Sequence, residues 1–207
     1  MKRSFVITLA LCTAAAVLFA QNAKPENPPA QKPYSENSVI VKKTSTPIAK
    51  TKAAYVTDKT ASEGMATFQT GKGSGWGVRW LSCDFAPKLK PNKEYVFKMR
   101  LRPEFENAPD SDGFFLTLGF YNPVRKTGRG SFKAYYQAYD EGKYRNACLF
   151  RTKVRKPAEL PGFFYCTPNE KAADGAFKVW YDHIEFIPVE DFKDKFLLKR
   201  LPLFELF

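Results

Sequence analysis

The chain has 207 residues, 44% of them hydrophobic and 26% charged, enough for one ordinary core, too little for two large ones, and incompatible with a wholly disordered chain. Lysine and arginine outnumber aspartate and glutamate by 33 to 21, a formal charge of +12 that favours anionic partners without naming one. The single histidine, His183, excludes most zinc sites and any Ser-His or Cys-His mechanism that does not pass through it.

Lys2-Arg3 precedes an uncharged apolar run from Phe5 to Ala20 that ends in a small residue. Residues 1–20 read as a cleaved secretory signal peptide, because the run falls short of the roughly 20 residues that cross a hydrocarbon core. No later stretch is apolar enough to span, so the expected location is secreted or periplasmic. Residues 21–37, with Pro25, Pro28, Pro29 and Pro33 among polar side chains, read as a disordered Pro-rich linker. The remaining cysteines are Cys83, Cys148 and Cys166. In an oxidising compartment one bridge is expected, with Cys148–Cys166 favoured because the two lie in neighbouring predicted strands, and three reduced buried thiols are the alternative.

From Ser38 on, short apolar runs recur between Gly, Pro, Asn and Asp clusters, the spacing of strands joined by turns. Strands are predicted at Ser38–Val41, Ala53–Thr57, Met65–Gln69, Gly77–Leu81, Glu94–Arg102, Gly113–Tyr121, Phe132–Ala138, Tyr144–Phe150, Gly162–Thr167 and Phe177–Pro188. Tyr95, Phe97, Met99 and Leu101 alternate with Val96, Lys98, Arg100 and Arg102, which gives that strand one core face and one basic face. Phe177, Val179 and Tyr181 form a face that Ile184 and Phe186 continue only after a register change at Asp182-His183, which predicts a bulge. An abundance of phenylalanine and tyrosine without a sustained 3.6-residue period points to an all-β fold. The expectation is a two-sheet antiparallel jelly-roll sandwich over residues 38–189, since a lone sheet would leave an apolar face in water. In residues 190–207, Phe192, Phe196 and Leu197 have helical spacing and Pro202 interrupts it, so a short helix packed on the domain is expected.

Four segments carry a resemblance. They are Asp58 with Ala61-Ser62-Glu63-Gly64, Trp76-Gly77-Val78-Arg79-Trp80, Leu89-Lys90-Pro91-Asn92-Lys93-Glu94-Tyr95, and Val179-Trp180-Tyr181-Asp182-His183-Ile184. Their order resembles the galactose-binding-like jelly-roll carbohydrate-binding modules, including those appended to secreted bacterial glycan-degrading proteins. Asn92 stands where that group usually has glycine. The resemblance covers roughly Tyr55 to Pro188 and implies the sandwich fold and a non-catalytic, sugar-binding role. It also implies a place for a structural calcium, at Asp182 with a second oxygen from Asp58 or Glu63 near the early turn.

Sugar recognition needs flat aromatic faces beside amides, carboxylates or guanidinium groups. The loops offer Trp76 after a Gly-rich stretch, Tyr121, Asn122, Arg125 and Arg129 around a predicted loop reaching Gly130, and Tyr136 in the strand that follows. Trp80 and Trp180 fit the core or a sheet face better. If the basic loops around Arg125 and Arg155 share one end of the sandwich, they make a cationic rim suited to an anionic polysaccharide. No cofactor is called for, and nucleic acid is disfavoured by export. An enzyme is not expected: the acidic loop at Glu104, Glu106, Asp110 and Asp112 does not by itself set two carboxyls across a bond, and adjacent Asp182 and His183 should point to opposite faces. Two other functions compete with glycan binding: an envelope protein that docks a partner through its C-terminal Phe/Leu segment, and a small jelly-roll lyase or hydrolase.

Overall fold

A computed structural model describes residues 33–42, 44, 53–70, 77–106, 113–136, 139, 142–169 and 177–206. The expected signal peptide and residues 21–32 of the expected linker lie outside them. The chain forms β1 (Val39–Val41), β2 (Ala53–Thr57), β3 (Met65–Thr70), β4 (Arg79–Leu81), α1 (Ser82–Phe85), β5 (Glu94–Phe105), β6 (Phe114–Asn122), β7 (Thr127–Tyr135), β8 (Arg145–Val154), β9 (Phe163–Pro168), β10 (Phe177–Pro188), α2 (Lys195–Arg200) and β11 (Leu203–Leu206). Seven strands make one sheet in the order β11-β8-β5-β10-β3-β2, with β1 on β10 beyond the end of β3, and β4-β9-β6-β7 make the other.

The strand predictions hold, with one strand added and one moved. The added strand is β11, which lies parallel to β8 and, among the described residues, is the one departure from an otherwise antiparallel set of pairings. Its alternation is short but sufficient: Leu206 joins the main core and Phe204 packs against it, while Leu203 and Glu205 face out. The moved strand is β7, which starts at Thr127 rather than Phe132. Asn122 Oδ1 accepts the amides of Val124 and Arg125, each at 3.0 Å, and Lys126 takes φ 53. The turn therefore closes within four residues, and pairing resumes at once with Asn122 opposite Thr127.

The two sheets meet along an aromatic seam. Phe97 of β5 stacks on Phe150 of β8 at 4.5 Å and meets Phe164 of the smaller sheet at 4.8 Å. Phe132 of β7 stacks on Phe150 at 4.3 Å, and Trp80 of β4 meets Tyr181 of β10 edge-on at 5.7 Å. Tyr95, Phe97, Met99 and Leu101 all belong to this core, as do Phe177, Val179, Tyr181, Ile184 and Phe186. The register shift between Tyr181 and His183 is the expected bulge.

Alternation then sends the other half of β5 outward, and the expected basic face is present, yet it is not open to solvent. Each cation meets a carboxylate. Lys98 pairs with Glu185, its direct cross-strand neighbour. Arg100 Nε lies 3.0 Å from Asp182 Oδ2, and Arg102 Nη2 lies 3.1 Å from Asp58 Oδ2. Tyr34, within the segment read as linker, covers the first pair: its amide donates to Glu185 Oε1 at 2.6 Å and its ring stacks on Phe192 at 5.3 Å. Val96 and Ile187 end this face in a second small core with Phe192 and Leu201, against which Leu197 and Leu198 of α2 pack. No helix of the described residues is long and apolar enough to cross a membrane.

Two corrections concern paired residues. The expected Cys148–Cys166 bridge is absent, and the strands that carry the two residues, β8 and β9, belong to different sheets rather than pairing. Cys166 is a free thiol buried in the core, and Cys83 is a free thiol on the surface. Cys148 is paired with Lys98 along the backbone, and its side chain is outside the description. His183 and Asp182 do not point to opposite faces, because the bulge turns both outward; His183 Nδ1 lies 3.5 Å from Asp182 Oδ2.

Burial raises the carboxyl pKa of both Asp58 and Asp182, but donors outweigh it. Thr60, Tyr144 and Arg102 hold Asp58 below its ordinary value of 3.8, and His183 and Ser62 do the same for Asp182. Both groups therefore contribute stability that is complete above 3.8 and is lost as the pH falls through the lower folded values. The thermal midpoint of the protein should decline below about pH 4, and Asp182→Asn should show a flatter decline from a lower starting point, converging on wild type in acid. In the seam, Phe97→Ala should cost about 3–5 kcal/mol in urea unfolding, since it opens a cavity between the sheets.

Candidate functional site

The smaller sheet has two faces of different character, and the difference starts in the sequence. Along β9, Phe164 and Cys166 enter the core while Phe163, Tyr165 and Thr167 alternate outward. Along β6, Leu118 and Phe120 go in, and Thr117, Gly119 and Tyr121 go out; a register shift between Phe114 and Leu116 lets Phe115 and Leu116 both turn inward and leaves Phe114 outside. Arg79 of β4 and Lys133 and Tyr135 of β7 complete the outward set. No described helix or strand is stacked on this face. Among the four strands, Arg79, Arg129 and Lys133 carry charge, and not one Asp or Glu is present.

The outward rings form two groups. At one end Tyr121 lies 5.7 Å from Phe163, Phe163 lies 6.4 Å from Tyr165, and the Arg79 guanidinium sits 4.7 Å above the Phe163 ring. At the other end Phe114 lies 6.4 Å from Tyr135, which is 46% exposed, and the Lys133 ammonium sits 4.4 Å over Phe114. Seven residue steps along β6 separate Phe114 from Tyr121, roughly 20 Å at a strand's rise. Between the groups, Gly119 pairs with Tyr165. Gly119 is itself buried, and Tyr165 beside it is half-buried. Burial, then the neighbouring Cys166, raises the Tyr165 phenol above its ordinary value, so the group stays a neutral donor and acceptor. Burial partly desolvates the Arg79 guanidinium over its ring, whereas Lys133 is exposed.

The residues singled out from sequence do not converge on one place. Tyr121 belongs to this face. Asn122 is a correction: it is 1% exposed, and its side-chain oxygen is spent on the turn amides, so it shapes the turn and is closed to a ligand. Arg125 is exposed on that turn. Arg129 lies in β7, opposite Phe120, rather than in a loop, and its side chain is outside the description. Tyr136 is a second correction: at 7% exposure it packs against Phe105 at 4.8 Å and Phe115 at 5.5 Å within the core. Trp76 lies outside the described residues, directly before the chain enters β4. Trp80 is fully buried, and Trp180 is half-buried on the outer face of the larger sheet, under Arg102 at 4.1 Å.

The two basic loops do share an end of the sandwich. Gly162, at φ 138, abuts the Tyr121 carbonyl so closely that a Cβ would collide with it, which brings the β8–β9 connection against the β6–β7 turn. The rim is partly neutralised: Arg155 Nη2 lies 2.9 Å from Glu205 and Lys156 Nζ 3.1 Å from Glu159. Sequence reasoning misses Phe114, Phe163, Tyr165, Arg79 and Lys133. The outward half of Phe163-Phe164-Tyr165-Cys166-Thr167 was legible as alternation, but which half faces out depends on where the second sheet lies.

Asp58 and Asp182, the calcium candidates, do not fit a cation. Among the described residues no group of three or more His, Cys, Asp or Glu side chains is placed to hold a metal ion. The oxygens of both carboxylates bear protein donors, including two guanidinium groups.

Neither a family model nor a curated protein matches the sequence. Among solved structures, the chain is similar to the CBM22-1 xylan-binding domain from Paenibacillus barcinonensis Xyn10C, with 10% identity and a TM-score of 0.45 over 70% of this chain and 85% of that one. It is also similar to the CBM22-1-GH10 modules of Clostridium thermocellum endo-1,4-beta-D-xylanase 10B, with 9% identity and a TM-score of 0.40 over 73% and 26%. The Bacillus thuringiensis insecticidal crystal protein Cry7Ca1 matches with 12% identity and a TM-score of 0.38 over 72% and 22%. These are likenesses of chain path at low identity.

Proposed function

We propose that this is an exported, non-catalytic carbohydrate-binding protein of jelly-roll type, and that it holds an anionic glycan on the outer face of the β4-β9-β6-β7 sheet. One observation carries the reading: four at least partly accessible outward rings, Phe114, Tyr121, Tyr135 and Tyr165, accompany Arg79 and Lys133 on strands that contain no carboxylate, with the buried Phe163 ring as the base on which Arg79 rests. Rings supply flat apolar contact for the C–H face of a pyranose, and a guanidinium or ammonium beside a ring supplies a partner for a uronate or sulfate. The length of the strip suits several linked sugar units. Trp76 belongs to the proposal because it stands three residues before Arg79 in the sequence, and Arg125 because its turn follows Tyr121 and Asn122.

Binding fits this face better than hydrolysis, since the four strands offer no carboxylate or imidazole to act as acid or base. A docking role for the C-terminal segment is not favoured. Leu197, Leu198, Leu201 and Leu206 are spent on the chain's own two cores, leaving Phe196, capped by Arg200 at 3.7 Å, and Leu203 as separate exposed residues.

The test is titration of the full chain with polygalacturonate, alginate and neutral xylan by calorimetry. Acidic polymers should bind, and affinity should fall as salt rises. Tyr165→Ala and Tyr121→Ala should each weaken binding about tenfold or more, the worth of one lost ring contact, with an unchanged thermal midpoint. Preference for neutral xylan would remove the anionic part of the proposal; no binding to any of the three would remove the face as a glycan site.

A further inference from the structure

The carboxylates at the early turn and on β10 are surrounded by ligands of the wrong sign for a metal. Asp182 Oδ2 accepts from Arg100 Nε at 3.0 Å and from the Ser62 amide at 3.1 Å, and its Oδ1 accepts from the Ser62 hydroxyl at 2.7 Å. Asp58 Oδ2 accepts from the Tyr144 hydroxyl at 2.7 Å and lies 3.1 Å from Arg102 Nη2. Its Oδ1 accepts from the Thr60 amide at 2.9 Å and hydroxyl at 2.6 Å. Every oxygen of both groups thus faces a donor, whereas calcium takes six to eight oxygen lone pairs and would be repelled by guanidinium groups about 3 Å away.

We infer that Arg100 and Arg102 occupy the role of a divalent cation here, neutralising Asp58 and Asp182 and fastening the Asp58–Gly64 turn to β5 and β10 in a metal-independent clamp. The side-chain chemistry explains the choice of arginine. A guanidinium meets a carboxylate in its plane and a ring with its face. Arg100 and Arg102 lie over the Tyr144 ring at 4.7 and 5.5 Å, and Arg102 lies over Trp180 at 4.1 Å. The clamp therefore joins four separate parts of the chain: the early turn, β5, β10 and the residue that leads into β8. Glu104 gives Arg102 a second carboxylate at 3.3 Å. A spherical cation could hold the oxygens, but not the two rings.

The experiment uses the full chain and does not involve the sugar-binding face, so its outcome is independent of the proposed function. Thermal unfolding is followed in EDTA and in millimolar calcium, and terbium is titrated with excitation of Tyr144 and Trp180. The expected shift between EDTA and calcium is within about 1 °C, with no sensitised terbium emission, whereas a calcium site filled a hundredfold above its Kd would raise the midpoint by about 5–10 °C. Arg100→Met and Arg102→Met should each lower the midpoint by at least about 5 °C, and Arg102→Lys should not restore it, because an ammonium cannot stack and pair at once. A calcium-dependent midpoint, terbium emission that Asp182→Asn abolishes, or arginine variants that unfold like wild type would each overturn the inference. If the methionine variants fail to fold, the chelator and terbium measurements on the wild-type chain decide it alone.

Discussion

Strand β5 has to satisfy two surroundings at once, and the rest of the molecule is arranged around that constraint. A central strand alternates its side chains with a period of two. Tyr95, Phe97, Met99 and Leu101 therefore commit one face to the aromatic seam, and Lys98, Arg100 and Arg102 are forced to the other. Positive groups cannot remain half-buried without partners. The chain answers with carboxylates from three places: Glu185 and Asp182 on the adjoining β10, and Asp58 on a turn folded back over the sheet. The bulge at Asp182-His183 belongs to the same solution, since it aims Asp182 outward while Tyr181 and Ile184 keep to the core.

This arrangement makes the two outer faces unequal. On the larger sheet, Tyr34, the Asp58–Gly64 turn and the Phe192–Leu201 segment cover what β5 and β10 present. The smaller sheet carries rings, threonines and cations on its outer face, with no described element stacked on it. Acidic residues are distributed accordingly: the larger sheet uses them to neutralise its own cations, and the strands of the smaller sheet have none. Part of the positive charge that the sequence shows only as a total thus lies beside the rings of the smaller sheet.

The misplaced site residues share one cause. Asn122 and Tyr136 are polar or aromatic residues near a predicted loop, but the β6–β7 connection is a tight hairpin. Its geometry uses the Asn122 side chain as a brace, and Tyr136 falls into the gap beside Phe105 and Phe115. The expected bridge between Cys148 and Cys166 failed for a related reason. Strands that follow one another in sequence need not pair, and β8 and β9 lie in opposite sheets.

By itself the sequence determined the predominance of strands, the positions of most of them, the bulge in β10 and the two-faced character of β5. Each of these is a local consequence of side-chain period and turn chemistry. Only the tertiary structure decided which half of each alternating strand of the smaller sheet faces outward, which cation meets which carboxylate, and that the last strand lies parallel on β8. Those outcomes depend on contacts between residues far apart in the sequence, such as Arg100 with Asp182 and Leu203 with Arg151. A period of two names a pair of faces and leaves open which one the second sheet covers.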